Sequence, residues 1–313
     1  MRVACPLFLA ACAALVTVSA PDSRGQARTP ASDTVLVSAA WLAERLGRPE
    51  LVVLHVGAKA DYDEGHIPGA QHLLQNSFVA QGHEQGHEPT LMTQVPALAT
   101  LDSVLESVGV SDRSRIVIYG RSVTSIGRLY MTLDHVGLGS RTSILDGGLA
   151  VWREQGKPVS TEAAAGARGT LTLAPKGNVI ADLTLVKRAA RLESSPAGAG
   201  PVSFALVDAR TPEFYTGANA GSMPRAGHIP TAVNIPYTSF VTSGTSFKSP
   251  ADIQALFRDA GIQPGGSVIT YCHIGMQASV AYLAAKMAGL DPRMYDGSFD
   301  EWSRLSDLPV GKK

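Results

Sequence analysis

The chain has 313 residues, more than a single average domain, and its 27 Lys and Arg are matched by 27 Asp and Glu for a formal net charge of zero. With no basic excess to neutralise phosphates, nucleic acid is excluded as the expected partner. A composition of 45% hydrophobic and 17% charged residues excludes a disordered tail and supplies apolar mass for packed cores.

Met1-Arg2 opens an apolar and small-residue run that ends in Val18-Ser19-Ala20, ahead of the polar Pro21-Asp22. A positive start, an apolar middle and a small-x-small end are the anatomy of a secretory signal over residues 1–20, so an exported, periplasmic product is expected. Leu9-Ala10-Ala11-Cys12 supplies the alternative, a lipoprotein processing site with a lipid anchor at Cys12. No second apolar run is long enough to span a membrane. Residues 21–33 are polar, without periodicity, and read as a flexible tether.

A first domain is expected over 34–160. A helical stretch from Ser38 to Leu46 precedes β-rich runs at Leu51 to Val56, Arg115 to Tyr119 and Thr142 to Leu145. Strands of that length alternating with helices predict an α/β fold, a mostly parallel sheet flanked by helices, with its active site at strand C-termini. Within this domain His83-Glu84-Gln85-Gly86-His87 spells a zinc-protease motif. Gly82, Gly86 and Pro89 lie in a wholly polar stretch that cannot anchor a buried helix, so an exposed loop is expected and no metal.

Residues 161–178, rich in Ala and Gly, read as a linker to a second domain over 179–310 that repeats the first. Ile116-Val117-Ile118-Tyr119 matches Val268-Ile269-Thr270-Tyr271 at an offset of 152, which carries Tyr130 onto Tyr282. Gly65-His66-Ile67-Pro68 matches Gly227-His228-Ile229-Pro230, and Asp146-Gly147 with Trp152 matches Asp296-Gly297 with Trp302. Features present in both halves, such as His66 and His228 or Trp152 and Trp302, are explained by turns and packing. Features of one half need another reason.

Three cysteines cannot form a disulfide framework, and Cys5 and Cys12 fall within the leader, which leaves Cys272. The repeat places Gly120 opposite it. Cys272 stands between a strand and a helical run from Val280 to Met287, in a loop of His273, Ile274, Gly275, Met276, Gln277 and Ala278. Such a loop can curl so that its N–H groups converge, with Gly275 taking a positive φ, and the helix start adds its own unpaired donors. A stabilised thiolate, and hence a nucleophile, is the expectation.

These residues resemble the tandem rhodanese-like sulfurtransferases, in which a non-catalytic N-terminal domain precedes a catalytic one. Tyr62 with His66-Ile67-Pro68-Gly69-Ala70 is similar to one family signature, and Tyr295-Asp296-Gly297-Ser298-Phe299-Asp300-Glu301-Trp302 to another. Asp208-Ala209-Arg210 resembles the family's Asp-x-Arg element, and Cys272 its persulfide-forming cysteine. The resemblance implies transfer of a sulfane sulfur from a small anionic donor, thiosulfate, to cyanide or a thiol through a persulfide on Cys272, without metal or organic cofactor. A 3-mercaptopyruvate donor, or a non-catalytic persulfide carrier or redox sensor, stays open. Arg210 and Arg225 are the basic residues expected to face the donor, with an Asp208–Arg210 structural ion pair as the alternative. His273, as a cation, would attract the same anion. Cysteine-dependent phosphatases of similar fold need an arginine six places after the cysteine, where this chain has Ala278.

Overall fold

A computed structural model describes Met1 and residues 35–81, 91–194 and 203–312. Beyond Met1, the expected leader with Cys12, the expected tether and the His83 to His87 motif lie outside the described residues. Among the described residues, seven strands fall in the first half: β1 Leu36–Val37, β2 Leu51–Val56, β3 Gln71–Leu73, β4 Ala80–Gln81, β5 Met92–Gln94, β6 Arg115–Gly120 and β7 Thr142–Leu145. Seven follow in the second: β8 Ile180–Ala181, β9 Phe204–Asp208, β10 Val233–Asn234, β11 Val241–Ser243, β12 Ser246–Phe247, β13 Ser267–Tyr271 and β14 Asp291–Tyr295. The helices are α1 Ala39–Ala43, α2 Lys59–Asp63, α3 Leu98–Ser107, α4 Val123–His135, α5 Gly148–Glu154, α6 Leu183–Ala189, α7 Pro212–Tyr215, α8 Pro250–Asp259, α9 Met276–Met287 and α10 Ser298–Arg304.

Each half builds a five-stranded, wholly parallel sheet, in the order β1-β7-β6-β2-β3 and, equivalently, β8-β14-β13-β9-β10. The central strands are near-continuous apolar runs because helices cover both faces. One difference from the sequence reading concerns α1, which is shorter than the stretch from Ser38 to Leu46; Ser38 caps it, its Oγ accepting the Trp41 N–H. Another is the start of α9, at Met276 rather than Val280, which brings the helix N-terminus up to the cysteine loop. Two small hairpins, β4 with β5 and β11 with β12, are additions that periodicity did not announce.

The two inner faces share one core, in which α4 residues such as Ile126 and Leu129 join α9 residues such as Val280 and Leu283. At this seam Asp134 of α4 accepts from Tyr282 Oη at 2.6 Å, Lys176 Nζ at 2.8 Å and Lys286 Nζ at 2.9 Å. Burial works against its charge, yet these donors hold the carboxyl below its ordinary value. Residues 161–178 form no helix or strand and lie along the first half. There Leu171 is buried, and Glu106 and Asp112 accept from the Leu171 and Thr172 N–H groups. Among the described residues, no helix is long and apolar enough to cross a membrane.

Candidate active site

β13 ends at Tyr271, and the next residue, Cys272, is 1% exposed at the base of a cavity of about 480 Å³. His273, Ile274, Met276 and Gln277 line this cavity, joined by Phe214, Gly221, Ser222 and Tyr237 and by Thr124 of the first half. Gly275 has φ +87°, the left-handed geometry expected of it, and stands as the N-cap of α9. The N–H groups of Ala278, Ile274, Gln277 and Gly275 point at the sulfur.

The loop is held from behind by the Asp296 to Asp300 segment. Ser298 Oγ accepts the Cys272 N–H at 3.3 Å and donates to the Tyr295 carbonyl at 2.9 Å. The Phe299 and Asp300 N–H groups, at the start of α10, donate to the Cys272 and His273 carbonyls, each at 2.9 Å. Amides left unpaired by a helix start therefore fasten the backbone of the Cys272 loop.

The expectation of a resting thiolate is corrected. Burial pushes the Cys272 thiol above its ordinary value, and the four amides pull in the opposite direction without overcoming it. The cradle is in place before any charge develops on sulfur, so it can stabilise an anion at that position without rearranging.

Both arginine assignments are also corrected. Arg210 is 1% exposed and does not line the cavity. Its Nε donates to Asp208 Oδ1 at 2.9 Å, its Nη2 to Asp208 Oδ2 at 2.6 Å and to the Gly227 carbonyl at 2.7 Å. The guanidinium lies 4.2 Å over the Phe299 ring, so the ion-pair alternative holds. Burial opposes the charge, but Asp208 more than restores it, and Arg210 remains a cation within electrostatic reach of the sulfur. Arg225 donates to the carbonyls of Ser303, Leu308, Trp302 and Leu305, at 2.5–2.9 Å, and so caps the end of α10.

The cationic reading of His273 meets a third correction. Burial and the nearby Arg210 charge hold it below its ordinary value, which leaves the ring neutral at pH 7 with Phe214 edge-on at 4.5 Å. Sequence reasoning missed Phe214, Ser222, Tyr237 and Thr124, because a cavity wall assembled from separate loops has no linear spacing. Among the described residues, no cluster of three or more His, Cys, Asp or Glu is placed to hold a metal.

A family model, the rhodanese-like domain, matches residues 38–155 and again 190–305. The chain belongs to the rhodanese-like sulfurtransferases. Over 272 residues it is 32% identical to a thiosulfate sulfurtransferase of Pseudomonas aeruginosa, an alignment that takes in 86% of this chain and 94% of that one. It is 29% identical to a sulfur carrier protein of Thermus thermophilus, covering 89% and 96% of the two chains. Among solved structures, the 3-mercaptopyruvate enzyme SseA of Escherichia coli superposes with a TM-score of 0.71 at 26% identity, over 85% of this chain and 98% of that one. A tandem rhodanese fold thus carries one described cysteine, Cys272, in the strand-to-helix loop of its second half.

Proposed function

We propose that Cys272 carries sulfane sulfur between a small donor and a thiol or cyanide acceptor. The observation that supports this most strongly is the convergence of four main-chain N–H groups on a buried sulfur at the base of an open cavity. In the first step the Cys272 proton leaves to solvent and the thiolate attacks the outer sulfur of thiosulfate. The donor S–S bond breaks and sulfite departs with the electron pair, leaving a persulfide. In the second, cyanide or a thiolate takes the terminal sulfur and the Cys272 thiolate is regenerated. The terminal sulfur of the persulfide is itself anionic, so the same amides serve both states.

Thiosulfate as donor is supported by likeness to the Pseudomonas aeruginosa enzyme. A second reading, a carbon-bearing donor such as 3-mercaptopyruvate, draws on the cavity wall. That wall holds Phe214, Tyr237, Ile274 and Met276, and no Arg or Lys is among its residues. Thiocyanate formation with each donor decides between them, a higher kcat/KM with thiosulfate supporting the first reading. Cys272→Ser should abolish turnover with both donors, and retained turnover would end the proposal. Persulfide loading without turnover would assign a carrier role, as named for the Thermus thermophilus relative. Export, with cleavage after Ala20 or lipidation at Cys12, is part of the same proposal, and the intact mass of the secreted form tests it.

A further inference from the structure

Although it holds no cysteine among its described residues, the first half reaches into the second at the loop that does. Resting on the reading of Cys272 as the sulfur-carrying nucleophile, we propose that Thr93 and Arg128 of the first half are positioning residues that set the direction of the Cys272-loop amides.

Thr93 Oγ1 donates to the Ile274 carbonyl. The Arg128 guanidinium, wholly buried, donates from Nη2 to the Thr93 carbonyl at 2.5 Å and from Nη1 to Asp296 Oδ1 at 2.6 Å. Asp296 Oδ2 accepts the Val95 N–H at 2.8 Å, and the Asp296 carbonyl accepts from Gln94 Nε2 at 3.1 Å. A closed ring of hydrogen bonds therefore joins β5 and α4 of one half to both segments that shape the cysteine loop. A Cβ on Gly275 would stand 3.0 Å from Arg128 Nη1, so the guanidinium packs directly behind the peptide that presents N–H groups to the sulfur. The Ile274 carbonyl held by Thr93 belongs to that same peptide, and fixing its oxygen fixes the opposed Gly275 N–H.

Two features set this ring apart from ordinary packing. Thr93 has φ +56°, a region that β-branched residues avoid, and such strain persists where surroundings over-determine it. The repeat also supplies a control. Phe247 N donates to Asp146 Oδ1 as Val95 N does to Asp296, which aligns Thr93 with Thr245 at the offset of 152. There the positive φ falls on Gly244, and Val280 of α9 stands at the position of Arg128. The strained threonine and the buried arginine thus face only the loop that bears the cysteine.

Thr93→Gly tests this, since glycine accepts the backbone geometry and removes only the hydroxyl and branch. The melting temperature should stay near that of the parent while kcat for thiocyanate formation falls by about ten- to a hundredfold, with a smaller change in KM. The pH profile of Cys272 alkylation by iodoacetamide should move upward as the amides lose their aim. Thr93→Ser, which keeps the hydroxyl, should restore both readouts. Should the glycine variant fold poorly, Thr93→Val keeps the branch and gives the same test. Parental kcat and alkylation profile in Thr93→Gly or Thr93→Val would overturn the proposal, as would Thr93→Ser behaving like Thr93→Gly. A failure of the nucleophile itself shows separately, as turnover surviving in Cys272→Ser.

Discussion

In the first half β6 ends at Gly120, and in the second β13 is followed at the same place by Cys272. The frames around the two positions coincide down to single hydrogen bonds. Tyr119 Oη accepts the Ile67 N–H at 3.0 Å, and Tyr271 Oη accepts the Ile229 N–H at 3.1 Å. His66 stacks on Tyr62 and His228 on Tyr215, each with Nδ1 against that tyrosine's carbonyl, at 2.8 and 2.7 Å. Trp152 and Trp302 donate to the Pro158 and Pro309 carbonyls. The divergence lies at the strand ends. Asp208 and Arg210 form a buried ion pair in the second half, whereas His55 and Gly57 stand at the matching positions of the first. The fold is thus maintained by the shared frame, and the halves diverge by a few changes where strands meet loops, the place where α/β sheets carry their sites.

Moving the thiol between halves breaks this comparison most completely. A Cβ at position 120 would lie 2.2 Å from the Val56 carbonyl oxygen, so Gly120→Cys forces the backbone apart. Combined with Cys272→Ser it should yield no thiocyanate, and any turnover would show that the first-half loop is catalytically competent. Next in size is Arg210→Met, which leaves Asp208 buried without its partner. A loss of about 3–5 kcal/mol is expected by urea denaturation, against near-neutral stability if Arg210 were a surface donor ligand. Arg225→Met removes donors from the α10 carbonyls. Here the expected loss is about 1–3 kcal/mol, with KM for thiosulfate unchanged in the folded enzyme. A raised KM at parental stability would return Arg225 to donor binding.

Much of the frame was legible because apolar strands and repeated landmarks are local signals. Leu51–Val56 and Thr142–Leu145 appear as read, and the offset of 152 exposed both Cys272 and its lack of a counterpart. The amide cradle was legible too, since a strand end, a glycine and a helix start adjoin in sequence. What sequence could not weigh was burial. Arg210, His273 and Cys272 were each read for the charge they could carry, and on each the first influence is desolvation, which exists only once the chain has folded around it. Thr93 and Arg128 gave no signal, because their partners Ile274 and Asp296 lie more than 160 residues away.

At neutral pH the smallest effect is that of His55, the first-half counterpart of Asp208, because it develops only as pH falls. His55 is 2% exposed among Tyr62, His72 and Tyr119. Burial first, then His72, lower its pKa from 6.5 to about 4, against a small opposing pull from Asp61. Below pH 6.5 the unfolded chain takes up a proton that the folded one refuses, so stability present above 6.5 is lost progressively as pH falls toward 4. Melting temperatures measured from pH 7 to 4.5 should therefore fall more steeply in the parent than in His55→Phe, the carboxylate background being common to both. Parallel curves would mean that the first half tolerates a charge where the second keeps its ion pair, and that the two strand ends differ less than their residues suggest.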